Sequence, residues 1–262
     1  MGALLWFTHE RLRKHDASQG LVEAVRLRNY SAVTAMINVG ADVNWAPVDQ
    51  KAVTSNPLDY FRHLFNHRSA TRSPRGPTPL MIAAGYEEYS QYKSVILPNL
   101  DIVRVLMAHG ADPNSSDSRG VTAFMVLAWK SAYFERYVKQ HRMKSTDDPL
   151  SAFELIVGHG AKTEAKDSRG YTALFGAEPR YALVLLAHGA NVNARGGGGE
   201  TPLTCAAFNG NIDYCKFLIE HGAYTELKDN CGKKPVDYAN EMMERGENFR
   251  QAYVFLRAHT SP

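Results

Sequence analysis

His63 and His67 stand four residues apart, so a helix through them would put both imidazoles on one face at a spacing compatible with a metal ion. No third ligand lies nearby, and the Glu of a helical zinc-protease motif is absent. His109, His159, His188 and His221 each precede a glycine. A histidine in the last turn of a helix meets the C-terminal dipole and the free carbonyls, which makes these four structural. The run Gly196 to Gly199 lacks the Lys and Ser/Thr of a phosphate-binding loop and suits a flexible hairpin tip. Cys205, Cys215 and Cys231 show no Cys-x-x-Cys spacing, so neither a disulfide framework nor a zinc site is expected, and a reducing compartment follows. No Ser-His-Asp, Cys-His or paired-carboxylate set can be assembled with specificity. The expectation is therefore a non-enzyme, with no cofactor, no metal and no small-molecule substrate.

Bulk properties agree with a soluble chain. Of 262 residues, 44% are hydrophobic, enough for a continuous core, and 22% are charged. A net charge of +3 is too small to argue for nucleic acid by itself. The apolar run Ala3 to Phe7 is too short for a signal-peptide core, no segment has the length of a bilayer span, and Trp6 occupies the place of the Ser or Thr in a myristoylation motif. These features place the chain in the cytoplasm.

The elements that would position any site are set by a repeat. In the stretch Gly199 to Asp229, Thr201 can cap a helix and Pro202 takes its first position, where a missing N–H costs nothing. Asn209-Gly210 ends that helix. A second helix then carries Ile212, Cys215, Leu218 and Ile219 on one face and stops at Gly222, a residue suited to a left-handed C-cap. The Gly-Ala ending recurs at Gly40-Ala41, Gly110-Ala111, Gly160-Ala161 and Gly189-Ala190. The steps Asn114 to Thr122, Glu164 to Thr172 and Asn193 to Thr201 are equal. Thr201-Pro202-Leu203-Thr204, the pair Ala206-Ala207, Asn209-Gly210 and endings such as Gly40-Ala41-Asp42-Val43-Asn44 resemble the ankyrin repeat, whose period is about 33 residues. The resemblance covers most of the chain. It implies an all-α solenoid of about five helix pairs plus a C-terminal half-repeat or cap, joined by short β-hairpin-like loops. One pair cannot bury its apolar face alone, so stacking is obligatory.

In that frame the chain is one domain: an N-terminal cap over 1–16, repeat one over 17–44, an insert over 45–75, repeats two to five over 76–116, 117–166, 167–195 and 196–229, and a C-terminal cap over 230–262. Asp59 to Phe65 suits a short extra helix within the insert. Repeat two lengthens between its helices, and the first helix of repeat three is predicted to extend to about Lys144. Tyr86, Tyr89 and Tyr92 in one extension and Tyr133, Phe134 and Tyr137 in the other are expected to pack together. Repeat four is short: Gly176 and Pro179 must curtail its first helix, and the stack is expected to be weakest there. The family's Thr-Pro-Leu-His histidine is replaced by Met81, Met125, Phe175 and Thr204, which puts the usual inter-repeat hydrogen bonds in doubt and shifts the load to apolar packing.

Function in such an array belongs to the hairpin tips and first helices, which line a concave surface. Asp117, Asp167 and Asp229 suit turn stabilisation. Arg119 and Arg169 share one repeat position and Arg195 and Lys233 lie near it, so stacking predicts a cationic stripe, which with Trp45 forms the candidate partner-binding set. The resemblance implies a non-catalytic protein-protein interaction module, with an acidic or amphipathic segment as partner. Two alternatives stay open: binding of anionic lipid headgroups or nucleic acid by basic inserts (Arg62, Arg68, Arg72, Arg75; Arg136, Lys139, Arg142, Lys144), and an enzymatic site in the inserts. Irregular ankyrin proteins of this kind are also similar to effectors that intracellular bacteria deliver into host cytoplasm.

Overall fold

The computed structural model describes residues 2–47, 76–86, 97–141 and 148–260. The two-histidine candidate, the helix expected at Asp59 to Phe65, Tyr89 and Tyr92, and most of the basic insert residues lie outside these. The described residues form eleven α-helices and two short 3-10 turns, with a single isolated bridge, Ser116 to Thr122, and no strand. None of these helices is long and apolar enough to cross a membrane. They group into two compact units, one of residues up to 126 with 148–161, the other of 127–141 with 162–260.

The first unit holds α1 (Gly2–Arg26), α2 (Tyr30–Asn38), α3 (Pro79–Ala83), α4 (Leu100–Ala108), the first turn of α5 (Ala123–His141) and α6 (Pro149–Gly158). Helix α1 packs on α2 and α3, α3 on α4, and α4 on both α2 and α6, so first and second helices form separate layers. Leu21, Val33, Leu80, Ile102, Leu106, Phe153 and Ile156 fill the space between them at full burial, each contributing about 1.5–3 kcal/mol. The expected division between a cap and repeat one at residue 16 is not a break: α1 runs straight through it. Ser18 stays helical by donating its hydroxyl to the Lys14 carbonyl (2.7 Å).

The second unit holds the rest of α5, a 3-10 turn (Ala173–Gly176), α7 (Pro179–Ala187), α8 (Pro202–Phe208), α9 (Ile212–Glu220), α10 (Pro235–Met242) and α11 (Glu247–His259). The 3-10 turn, α8 and α10 stack in one row, and α7, α9 and α11 in the other. Repeat four thus has a single 3-10 turn where a first helix belongs, as Gly176 and Pro179 require. Its shortfall is made up by α5. Trp129 Nε1 donates to the Thr172 carbonyl (3.2 Å), the Glu178 N–H donates to Ser131 Oγ (2.7 Å) and Arg180 pairs with Glu135 (2.7 Å). A Cβ at Gly176 would sit 3.0 Å from the Trp129 ring. The expected packing of the two aromatic extensions involves Tyr89 and Tyr92, which lie outside the described residues. Phe134 is buried, Tyr133 is exposed, and Tyr86 lies beyond α3, where its hydroxyl donates to Asp117 (2.9 Å).

The same terminus is built at five second helices, α2, α4, α6, α7 and α9. Gly40, Gly110, Gly160, Gly189 and Gly222 take φ of +92, +82, +86, +83 and +90°, where a Cβ is disfavoured. The following amide turns back, as in Ala111 N–H to the Leu106 carbonyl (2.9 Å) and Ala223 N–H to the Leu218 carbonyl (2.9 Å). His109, His159, His188 and His221 each donate Nδ1–H to the carbonyl four residues earlier at 2.7–2.8 Å, and His259 does the same in α11. Asn29, Asn99 and Asn211 cap α2, α4 and α9.

Met81, Met125 and Phe175 are buried, as apolar compensation for the missing histidine requires, and Thr204, also buried, instead forms a capping box with Thr201. Yet the inter-repeat polar network is present, carried by asparagines of the Gly-Ala endings. Asn44 donates to the Gly110 carbonyl (3.0 Å) and accepts from the Asp112 amide (2.7 Å). Asn114 donates to the Gly160 carbonyl (3.1 Å). Asn193 donates to the Gly222 carbonyl (3.0 Å) and accepts from the Tyr224 amide (2.8 Å). A side-chain amide can satisfy both a free carbonyl and a free N–H of the next repeat, which no apolar residue can.

Trp129→Ala should lower the free energy of unfolding by about 2 kcal/mol, measured by urea denaturation, because it removes a ring that covers repeat four. Thiol chemistry checks the packing separately. Burial pushes the Cys205 and Cys215 thiols up to about 12, whereas Cys231 is exposed. At about pH 8 iodoacetamide should therefore modify Cys231 alone in the folded chain and all three cysteines in urea, as read by intact mass.

Candidate functional site

Three hairpin tips share one construction. Asp117 Oδ1 accepts the amides of Arg119 and Val121 (2.9 Å each), Asp167 Oδ1 those of Arg169 and Tyr171 (2.9 and 2.8 Å), and Asp229 Oδ1 those of Cys231 and Lys233 (2.8 and 2.9 Å). The three carboxylates are buried, so each tip is a closed turn locked from inside by its own side chain. This is the turn role assigned to them from sequence.

The fourth tip replaces that aspartate with Gly196 and keeps the backbone frame, Gly196 N–H donating to the Glu200 carbonyl (2.9 Å). The glycine run is not the flexible tip expected. Gly197 N–H donates to the Arg169 carbonyl (2.7 Å), and the Asn230 amide donates to the Gly198 carbonyl (2.9 Å). A Cβ at Gly196 would stand 2.6 Å from the Tyr171 ring, and one at Gly197 would stand 2.8 Å from the Arg169 carbonyl. Glycine is needed because the chain passes too close to its neighbours for any side chain. Three consecutive tips of the second unit are thereby joined backbone to backbone.

On these frames sit the candidate cations. In the first unit, Arg119 pairs with Asp117 (3.0 Å), and its guanidinium lies over the Tyr86 ring (5.6 Å) while also donating to the Tyr86 hydroxyl. Trp45 is half-buried, edge-on to His15 at 5.4 Å between ring centroids. In the second unit, Arg169 pairs with Asp167 (3.2 Å) and covers the Tyr171 ring (4.8 Å), which stacks on Phe175 (4.7 Å). Tyr171 in turn donates to Glu200, and burial together with that bond holds its hydroxyl well above the usual phenol range. Lys233 pairs with Glu241 (2.5 Å) over the Tyr238 ring (5.2 Å). Arg195 differs from the rest: its Nη2 donates to the Lys228 carbonyl (2.6 Å).

The register explains the difference. Arg119 and Arg169 stand nine residues after Gly110 and Gly160, whereas Arg195 stands six after Gly189 and Lys233 eleven after Gly222. Lys166 and Lys228 share the register of Arg195, and Lys166 Nζ donates to the Arg195 carbonyl (3.0 Å). Counting from the terminal glycine instead of from the aspartate would have singled them out. The role of Tyr86 had no such signal, because it depends on a loop returning to a tip more than thirty residues away. Among the described residues no group of three or more His, Cys, Asp or Glu could hold a metal ion.

Two family models match this chain, one for an ankyrin repeat over residues 75–118 and one for ankyrin repeats in many copies over 179–219. A fowlpox virus (strain NVSL) chain named as an ankyrin repeat protein is 30% identical over 148 residues, which is 56% of this chain and 72% of that one. The chain belongs to the ankyrin repeat family. Ankyrin repeats make it a protein-protein interaction module, and the locked tips are the ankyrin hairpins on which its exposed cations are mounted.

One tip carboxylate, Asp229, ties the ankyrin frame to pH. The Tyr238 hydrogen bond, aided by backbone amides and Lys233, holds the Asp229 carboxyl below its usual range. A depressed carboxyl stabilises the fold above the unfolded-state pKa of about 3.9, and that stabilisation is lost as pH falls through the folded value. Tyr238→Phe should therefore raise the midpoint of acid unfolding, followed by circular dichroism, while Tyr253→Phe leaves it in place.

Proposed function

We propose that this ankyrin module binds an acidic or amphipathic segment of a partner protein on its hairpin tips and first-helix surface. The candidate set is Arg119 and Trp45 in the first unit and Arg169, Arg195 and Lys233 in the second. One observation supports this most: the cations project from turns held rigid by buried aspartates and by backbone bonds between tips, so little ordering entropy opposes binding. Arg119 and Arg169 remain largely exposed although paired, with side-chain exposures of 61% and 66%, so an incoming carboxylate can share the guanidinium. Three free thiols suit a reducing compartment such as the cytoplasm.

The test is a capture experiment from eukaryotic cell lysate, read by mass spectrometry, with the native chain and with a variant carrying Arg119→Glu, Arg169→Glu and Arg195→Glu. A protein retained by the native chain and lost by the variant, at unchanged helical content, is the expected outcome. Retention by both chains would remove the tip cations from the binding surface.

A further inference from the structure

Lys166, Arg195 and Lys228 form a row on three successive tips of the second unit. All three are exposed, and each stands six residues after the glycine that ends a second helix. The first two are tied along the row: Lys166 donates to the carbonyl of Arg195 (3.0 Å), and Arg195 donates to the carbonyl of Lys228 (2.6 Å). Each bond runs from one member to the backbone of the next, so the Lys166 and Arg195 side chains are held along the row by carbonyl oxygens. At the same register the first unit has Ala46 and Ser116, which are uncharged.

The neighbouring acids are engaged elsewhere. Asp167 holds its own tip and Arg169, Asp229 its own tip and Tyr238, and Glu200 the Tyr171 hydroxyl. Glu241 pairs with Lys233, Glu226 with Lys234, and Glu164 accepts the Asn191 amide. The row therefore places three cationic residues on a rigid backbone, and none of them forms an ion pair with a carboxylate among the described residues.

Resting on the partner-binding function proposed above, we infer that this row recognises an acidic peptide in the polyproline II conformation, with carboxylates at every third residue. Packed helices repeat at roughly 8–10 Å, which sets the step between successive tips. A polyproline II chain rises about 3.1 Å per residue with three residues per turn, so every third side chain faces the same way at about 9.3 Å. A β-strand presents one face at about 6.6 Å and a helix matches only once in about seven residues, at 10.5 Å. Polyproline II is also a stiff, fully solvated conformer, so its backbone needs no hydrogen bonds from the tips.

The test is fluorescence anisotropy on the full chain with a labelled nine-residue peptide carrying Glu at every third position and Pro elsewhere. The control has the same composition with its three Glu residues contiguous. The spaced peptide should bind roughly tenfold more tightly than the control, and the triple variant Lys166→Gln, Arg195→Gln, Lys228→Gln should weaken it roughly tenfold, in keeping with exposed charge pairs. If the triple variant unfolds, Lys228→Gln alone leaves both hydrogen bonds of the row in place and should weaken binding about threefold. Equal binding of the two peptides, or full binding by a folded variant, overturns the inference. So does binding of phosphatidylserine vesicles or of an oligothymidylate in place of the peptide when it is lost in the variant. Should no peptide bind while lysate capture still depends on Arg119 and Arg169, the row fails and the interaction module stands.

Discussion

A layer of two helices has two apolar faces and no interior of its own. Everything else in this chain follows from the need to cover those faces. Leu21, Leu106, Phe153 and Leu218 are fully buried only because a neighbouring layer lies against them. Where a layer is defective, the chain must find cover elsewhere. Repeat four has a 3-10 turn in place of a helix, and the long helix α5 supplies Trp129, Ser131 and Glu135 to its exposed side. The lengthening of one repeat and the contraction of the next are two halves of one arrangement.

Stacking also fixes where polar groups must go. Second helices end in free carbonyls, and at α4, α6 and α9 these are taken up by a histidine from within the turn and by an asparagine from the preceding repeat. The substitution of the first-helix histidine by Met81, Met125, Phe175 and Thr204 moves the polar link from the helices to the loops. The tips gain rigidity in consequence. A buried aspartate that closes a turn and a glycine run that touches both neighbouring tips are stability features whose by-product is a fixed display of surface charge.

That display has two parts. Arg119, Arg169 and Lys233 are each paired with an acid and laid over an aromatic ring, which restricts them and dilutes their charge. Arg195 and Lys166 instead donate to backbone carbonyls of the next tip.

Much of the fold was legible because repeat positions are set by local rules. Thr-Pro starts, Gly-Ala endings and the shortening imposed by Gly176 and Pro179 act within a few residues, and each is realised as read. The turn role of Asp117, Asp167 and Asp229 is local in the same sense. What the sequence could not supply were the contacts that join segments far apart in the chain. The Tyr86 hydroxyl on Asp117, the Trp129 indole on Thr172 and the close passage of Gly196–Gly199 past Arg169 depend on where whole layers come to rest. The pairing of Arg119 with Asp117 and of Arg169 with Asp167 is local, two residues apart within one tip, whereas the bonds from Lys166 to the Arg195 carbonyl and from Arg195 to the Lys228 carbonyl join successive tips and exist only because stacking brings those tips side by side.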